Sequence, residues 1–224
     1  MLFRSRVTMK ELLKALDANF VGYEGLHDLL LKAPKYGNDD DYVDEIAREW
    51  YDIYYQEHQQ KQGKCHLGRA TRPNALSVTR HFPLGANMGA LPSGRKAREP
   101  LTDGSVSAAP GTDINGPTAL LNSASKAIDT SNYTCSLLNM KFHPSSLASE
   151  QGLTNMIALI KTYTDLGGHH VQFNVVSGDT LKDAQIHPEN YRDLIVRVAG
   201  FSAFFIHLDP VVQNEIIKRS ELRF

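Results

Sequence analysis

The stretch Leu194-Ile195-Val196-Arg197-Val198-Ala199-Gly200-Phe201-Ser202-Ala203 places a glycine within an apolar, strand-like run near the end of the 224-residue chain. The residues before Gly200 have the composition of a strand, and the apolar character continues through Ile206. A glycine inside such a run weakens a strand and marks a bulge, a sharp bend or a close approach of two backbones. The stretch therefore predicts a strand or extended loop that is irregular at Gly200. By itself this pattern is also typical of a purely structural bend.

The segments upstream and downstream alternate between helical and strand-like patterns. Apolar residues recur at helical spacing from Leu153 to Tyr163, and Gly167-Gly168 closes that helix. Residues 170–176 alternate as in a strand, 179–185 and 188–193 are typical of short helices, and Asp209-Pro210 begins a final helix. This order predicts an α/β fold with a barrel or layered architecture.

The first part of the chain is predicted to be helical and the middle part to be ordered loop. Thr8 and Glu11 have the spacing of a capping box, a second helix follows over 23–32, and Asp39-Asp40-Asp41 precedes a third. We interpret the three aspartates as a helix cap rather than a metal site, because acidic side chains are favoured at helix starts. Residues 61–118 lose the helical period and are rich in Gly and Pro, yet they retain apolar residues. They predict ordered loops that pack against the rest of a larger protein.

Composition narrows the class of protein. Hydrophobic residues make up 42% of the chain and charged residues 22%, and the net charge of −1 gives no indication of a nucleic-acid or membrane-surface partner. No apolar stretch approaches the roughly 20 residues of a membrane span. The two cysteines, Cys65 and Cys135, are far apart, which argues against a disulfide framework or a zinc site and favours the reducing cytoplasm.

The beginning of the chain is unusual. Residues 1–5, Met-Leu-Phe-Arg-Ser, correspond to the translation of a common sequencing-adapter tail. We therefore expect a non-native tail followed by the downstream end of a longer protein. A genuine start at Met1 or Met9 is the alternative.

Blocks along almost all of residues 6–221 match one known family in order and spacing. The turn Pro92-Ser93-Gly94-Arg95-Lys96-Ala97 matches that family's Pro-[Asp/Asn]-Gly-Arg-x-Ala pattern, with Ser93 at the variable place. The other blocks are residues 33–41, 100–104, 115–119, 138–142, 172–176 and 213–219. Together with the stretch around Gly200, they resemble the glycyl radical enzymes of the pyruvate formate-lyase-like superfamily.

The resemblance implies the C-terminal part of a ten-stranded α/β barrel built from two antiparallel halves. In that family one central loop carries a glycine, and a second carries a cysteine that becomes a thiyl radical. The Gly-Cys-x-Glu pattern of the second loop does not occur in this sequence. We therefore expect Cys65 and Cys135 to be ordinary cysteines, and the chain to be an incomplete fragment that is inactive alone. The predicted division is a non-native tail over 1–5, a helical segment with Gly/Pro-rich loops from the end of the barrel domain over 6–118, and a glycine radical domain over 119–224.

The same resemblance implies that Gly200 stores an unpaired electron on its α-carbon. Such a radical is stabilised when the amide nitrogen and the carbonyl lie in one plane with it, and a Cβ would crowd that plane. The neighbours in the radical loop are Arg197, Val198, Ala199, Phe201 and Ser202. Gln172 and Asn174 share one face of a predicted strand and are expected to line the barrel interior, although a solvated sheet face has the same pattern. For Arg197, two roles stay open: pairing with a carboxylate of the chain or with an activating enzyme, and a surface or structural role.

No metal site or permanently bound cofactor is predicted. The resemblance implies that a radical S-adenosylmethionine activating enzyme, which carries an iron–sulfur cluster, installs the radical on Gly200. It also implies a small-molecule substrate and, for the full-length protein, a homodimer.

The amino-acid sequence of the motif over residues 197–203 resembles that of one branch of the family. That branch contains dehydratases, decarboxylases, C–N and C–S lyases and fumarate-adding enzymes, which act at C–O, C–N, C–S or C–C bonds. Formate acetyltransferase is disfavoured, because it tends to have Ser before the glycine and Tyr-Ala after it. Formate acetyltransferase nevertheless stays an alternative. Two others are a non-catalytic radical-domain spare part that complements an oxygen-cleaved enzyme in trans, and an unrelated α/β binding domain that no motif supports.

Overall fold

The computed structural model describes residues 7–62 and 71–224. The predictions for residues 1–5 and for Cys65 lie outside the described residues. The helices are α1 (Met9–Asp17), α2 (Glu24–Leu31), α3 (Asp41–Gln62), α4 (His81–Ala86), α5 (Pro117–Ala127), α6 (Glu150–Asp165), α7 (Gly178–Ile186) and α8 (Pro210–Lys218). The strands are β1 (Leu137–Phe142), β2 (His170–Val175), β3 (Ile195–Arg197) and β4 (Ser202–Phe204). Within the described ranges, no helix has both the length and the apolar character to cross a membrane.

The chain packs as two compact units. The first comprises the described residues within Met1–Pro34 and Arg80–Leu101, and the second comprises those within Lys35–Thr79 and Thr102–Phe224. Each unit therefore combines segments that are separated in sequence. The predicted division at residues 5 and 118 follows sequence character rather than packing, and it stays a prediction.

The first unit is built on α1 and α2. Thr8 Oγ1 accepts a hydrogen bond from the Glu11 N–H at 3.2 Å, which confirms the predicted cap of α1. The buried core of the unit consists of Leu12, Ala15, Phe20 and Leu30. Its Gly/Pro-rich segment is ordered by Arg95, whose guanidinium donates to the carbonyl oxygens of Gly85 and Gly89 at 2.9 and 2.8 Å.

The second unit is built around the parallel pair of β1 and β2. Their register runs from Leu137 opposite His170 to Phe142 opposite Val175. Every residue of β1 is buried, as expected for a parallel strand that is covered on both faces. Single bridges extend the pair, from Ala75 to Ser136 and from Phe142 to Leu222. The core also takes in Leu120, Leu121, Met156, Leu159 and Tyr163 from α5 and α6.

The predicted helix boundaries in this unit are largely confirmed. Asp40 Oδ1 accepts from the Tyr42 N–H at 3.1 Å at the start of α3, which supports the capping interpretation of the aspartates. Asp209 Oδ1 accepts from the Val211 N–H at 2.8 Å at the start of α8. α6 ends just before Gly167, which has a φ of +89° and closes the helix as predicted.

Two predictions of secondary structure were wrong. The region 61–118 contains a short helix, α4, although it includes Pro83 and Gly85. Tertiary contact overrides this weak helix propensity, because a Cβ on Gly85 would stand 2.4 Å from the Glu99 carbonyl oxygen. The predicted helix over 188–193 is only a 3₁₀ turn over Pro188–Asn190, because the chain must turn again before β3 begins at Ile195.

Two glycine substitutions are expected to change stability in opposite directions. In Gly152→Ala the new Cβ would lie 1.9 Å from the Ser146 carbonyl oxygen, so we expect the free energy of unfolding to fall by about 1–3 kcal/mol. In Gly25→Ala the Cβ would meet nothing within 4 Å, so the free energy of unfolding should rise by about 0.4–1 kcal/mol. Urea denaturation of both variants measures the difference. Equal effects of the same sign would contradict the close packing at Gly152.

Candidate functional site

The stretch around Gly200 forms a short antiparallel hairpin. β3 and β4 pair with Ile195 opposite Phe204 and Arg197 opposite Ser202. The Val198 N–H donates to the Phe201 carbonyl oxygen at 3.0 Å and closes the turn between them. The single run of the sequence is therefore two strands, and the predicted irregularity at Gly200 is the turn that joins them.

Gly200 occupies the tip of this turn in a conformation that favours glycine. Its φ is +81°, in the left-handed region. A Cβ at this position would lie 3.5 Å from Val78 Cγ1, which is an ordinary contact. A residue larger than glycine is therefore disfavoured here by the backbone conformation and not by a lack of space. Gly200 is exposed and Phe201 is 42% exposed, whereas Val198 and Ala199 are buried.

The predicted polar face of β2 lies against this hairpin. Gln172 and Asn174 are only 5% and 6% exposed, which argues against a solvated sheet face. Asn174 holds the backbone of Arg197 at both of its polar groups, since Oδ1 accepts from the N–H and Nδ2 donates to the carbonyl oxygen, each at 2.7 Å. Gln172 Oε1 accepts from the Gly200 N–H at 3.2 Å. The expected barrel-lining role of these two side chains stays a prediction.

The side chain of Arg197 takes a structural position beside the turn. Its Nε donates to Gln172 Oε1 at 2.5 Å, and its Nη1 donates to Ser202 Oγ at 3.3 Å. These bonds tie β2, β3 and β4 together. Of the two roles that the sequence left open for Arg197, the contacts favour the structural one.

A buried ionic cluster holds the backbone carbonyl groups of Arg197 and Val198, just before Gly200. Arg219, just after α8, donates through Nη2 to the Val198 carbonyl oxygen at 2.8 Å and through Nη1 to that of Arg197 at 3.3 Å. Glu215 accepts from the Nε and Nη2 of Arg219 at 2.9 and 2.8 Å, and Asp103 lies 3.6 Å from Nη2. Asp103, Glu215 and Arg219 are 2%, 3% and 8% exposed.

Sequence reasoning missed this cluster. Glu215 and Arg219 have the i,i+4 spacing of a helical ion pair, and that spacing was the available signal. The same spacing is usual on solvated helix faces, as for Glu57 and Lys61 in α3. What separates the two pairs is burial, which depends on Asp103 and on the hairpin far away in sequence.

The electrostatics of the cluster keep Arg219 charged. Burial opposes its charge, but the attraction of Asp103 and Glu215 outweighs burial and raises the pKa of Arg219. Two neighbouring groups respond mainly to burial, which lowers the pKa of Lys141 to about 8 and raises that of Asp113 to about 6. Lys141 Nζ donates to the Ile217 carbonyl oxygen at 3.0 Å, at the end of α8, where the helix dipole favours a cation.

The hairpin tip is therefore held by side chains at four backbone groups. These are the N–H and carbonyl of Arg197, the carbonyl of Val198 and the N–H of Gly200. Such contacts hold the peptide planes on the N-terminal side of Gly200, which is itself exposed. Among the residues that the structure describes, no group of three His, Cys, Asp or Glu side chains is placed to hold a metal ion.

Comparison with known proteins identifies relatives along nearly the whole chain. Residues 102–206 match the family model for "Glycine radical", and residues 2–85 match that for "Pyruvate formate lyase-like". The chain is 45% identical over 222 residues to trans-4-hydroxy-L-proline dehydratase of Clostridioides difficile, covering 99% of this chain and 28% of the relative. It is 44% identical over 220 residues to isethionate sulfite-lyase of Bilophila wadsworthia, covering 96% of this chain and 26% of the relative.

A solved structure shows the same fold. The crystal structure of hydroxyproline dehydratase from Clostridioides difficile with trans-4-hydroxy-L-proline bound matches with a TM-score of 0.92 and 44% identity, covering 99% of this chain and 28% of that one. The likeness confirms the predicted fold class, the C-terminal part of an α/β barrel. The chain spans about a quarter of the length of the relatives that it matches.

Proposed function

The chain belongs to the glycyl radical enzyme family, and from this premise we propose that Gly200 is the residue that stores the unpaired electron. The observation that carries the proposal is the geometry of the hairpin tip. Gly200 has a φ of +81°, and hydrogen bonds with Gln172 and Arg219 hold the backbone on its N-terminal side. It also lies within the residues that match the glycine radical model.

The proposed chemistry begins with the loss of one hydrogen atom from the α-carbon of Gly200. The C–H bond breaks homolytically, the hydrogen atom passes to a radical presented by an S-adenosylmethionine-dependent activating enzyme, and the electron stays on the α-carbon. Glycine permits the planar geometry that delocalises this electron over the amide nitrogen and the carbonyl, because it has no Cβ. Activation by a separate enzyme requires the turn to be accessible to that enzyme, and covering the turn afterwards would be a gated step.

For the complete protein we propose anaerobic lyase chemistry on a small molecule. The relatives are dehydratases, decarboxylases and a sulfite-lyase. In this scheme the Gly200 radical takes a hydrogen atom from a cysteine thiol, and the thiyl radical then takes one from the substrate. Cys65 and Cys135 lack the sequence context of that cysteine, so we assign it to the part of the relatives' length that this chain does not span. A cytoplasmic homodimer with its activating enzyme is the setting that we propose.

One observation favours this function over a spare part that acts in trans. The match to the pyruvate formate lyase-like model over residues 2–85 lies far upstream of the glycine. A spare part would be expected to match mainly around the radical site.

Exposure of the activated protein to air is expected to cut the backbone at Gly200. Dioxygen adds to the α-carbon radical, and the peroxyl radical takes a hydrogen atom from a thiol in the solution. Loss of water leaves a carbonyl at the former α-carbon, and hydrolysis of the following amide bond frees the amino group of Phe201. Mass spectrometry under denaturing conditions should find a peptide that begins at or next to Phe201 and ends at Phe224. Chain that was not activated, exposed to the same air, is the control. An intact mass in a sample that showed the radical before exposure would contradict the assignment.

A further inference from the structure

We propose that Gln172 tunes the radical on Gly200, because its side-chain oxygen accepts the hydrogen bond of the very amide over which the electron spreads. This inference rests on the proposed function of Gly200. Gln172 would then affect the lifetime and spin distribution of the radical in addition to supporting the hairpin.

The orientation of the Gln172 amide is set by the hairpin. Two N–H donors converge on Oε1, from the Gly200 backbone at 3.2 Å and from Arg197 Nε at 2.5 Å. Turning the amide over would place its NH₂ group against these two donors. The observed orientation is therefore the one that serves Gly200.

The same orientation leaves the other end of the amide without a partner. Gln172 Nε2 is buried and makes no hydrogen bond within the described residues, and the residue as a whole is only 5% exposed. A buried donor without a partner is destabilising, and a native protein that keeps one calls for an explanation. Hydrogen bonding to Gly200 and Arg197 supplies that explanation.

The position of Gln172 in the sheet restricts the movement of its side-chain oxygen. Gln172 lies in β2 opposite Asn139 of the buried strand β1. The acceptor is therefore carried by the centre of the parallel pair, while the hairpin supplies the donor. Relative movement of Gly200 and Gln172 is limited as long as the hairpin stays seated.

The chemical effect follows from charge. The amide nitrogen stabilises the α-carbon radical by donating electron density, and an acceptor on its N–H increases that donation. Arg197, bonded to the same oxygen, withdraws density from it and moderates the effect. A full negative charge at position 172 should therefore move more spin density from the α-carbon to the nitrogen, and removal of the acceptor should do the opposite.

Asn174 provides a matched control. It lies two residues further on the same face of β2, is 6% exposed, and binds the backbone of Arg197 rather than that of Gly200. Asn174→Asp introduces the same charge by the same isosteric exchange as Gln172→Glu. It disturbs the hairpin without touching the Gly200 amide.

The test is electron paramagnetic resonance after anaerobic activation of a hybrid in which the chain, or one of its variants, replaces the matching segment of the hydroxyproline dehydratase. Gln172→Glu should form the radical, with a smaller doublet splitting from the remaining α-hydrogen and a slower anaerobic decay. Gln172→Met should show a larger splitting and a half-life that falls about fivefold, the factor that corresponds to one lost hydrogen bond. Asn174→Asp should keep the wild-type splitting.

The outcomes separate this inference from the proposed function. Absence of a doublet in the hybrid that carries the wild-type chain, when the same activating enzyme converts the intact hydroxyproline dehydratase, would overturn both. A wild-type doublet whose splitting and lifetime are unchanged in Gln172→Glu and Gln172→Met would overturn the role of Gln172 alone. Thermal unfolding of each variant establishes that it is folded, and the isosteric Gln172→Glu decides the matter if Gln172→Met does not fold.

Discussion

Gly200→Ala is expected to abolish the radical doublet while the protein still folds. The new methyl group would crowd the plane in which the α-carbon radical must lie, so no stable radical forms. The fold should survive, because the Cβ finds an ordinary 3.5 Å contact with Val78 Cγ1. The positive φ alone should lower the free energy of unfolding by about 1–2 kcal/mol. The measurement is electron paramagnetic resonance after anaerobic activation, on the chain and on a hybrid in which it replaces the matching segment of the hydroxyproline dehydratase.

Gly22→Ala is the control for backbone strain. Gly22 has a φ of +79°, close to that of Gly200, and a Cβ there would meet nothing within 4 Å. This variant should lose a similar amount of stability and keep the full doublet. A doublet that persisted in Gly200→Ala would refute the assignment of the radical to this residue.

Arg219→Met is expected to lower the free energy of unfolding by about 3–5 kcal/mol. The variant leaves Glu215 and Asp103 buried without their cation, and it removes a donor from the Val198 carbonyl oxygen. Removing one partner of a buried ion pair is costly, because the remaining charge has lost its solvent and gained nothing in exchange. Urea denaturation at neutral pH measures the change.

An exposed ion pair of the same unit gives the comparison. Lys182 and Asp179 lie 3.6 Å apart with side chains 62% and 97% exposed. Lys182→Met should change the free energy of unfolding by less than about 1 kcal/mol. Further exchange of Glu215 for Leu in the Arg219→Met background should recover part of the loss, because one uncompensated charge is removed. Equal small effects of Lys182→Met and Arg219→Met would contradict the role given to the cluster.

The sequence predicted most of what is decided locally. Capping residues act over three or four positions, so Thr8 and Asp209 located the starts of α1 and α8. Gly200 stood out for the same reason, since one glycine in an apolar run is visible without any knowledge of the fold. β3 and β4 have three residues each, which is too short for alternation to separate them, so the turn itself was not predicted.

The support of Gly200 was beyond sequence reasoning because it is made of distant contacts. Gln172 and Asn174 had the pattern of either an inner or a solvated strand face, and only the hairpin that covers them decides between the two. Arg219 belongs to a common helical pair, and its burial beside Asp103 comes from packing that no local pattern encodes. The role of a buried polar residue such as Gln172 or Arg219 can be assigned only once its hydrogen-bond and ion-pair partners are known.

The bridge between Phe142 and Leu222 has a consequence for a nicked molecule. The Leu222 N–H donates to the Lys141 carbonyl oxygen at 2.8 Å, and the Leu222 carbonyl accepts from the His143 N–H at 3.1 Å. Glu221 Oε2 also accepts from the Gly178 N–H at 2.6 Å, and Leu222 is 3% exposed. A molecule broken at Gly200 would therefore keep its severed tail tied in by backbone hydrogen bonds, as an enzyme cleaved in a loop keeps both pieces. Replacement of that tail by an undamaged copy would first require these hydrogen bonds of Glu221 and Leu222 to break.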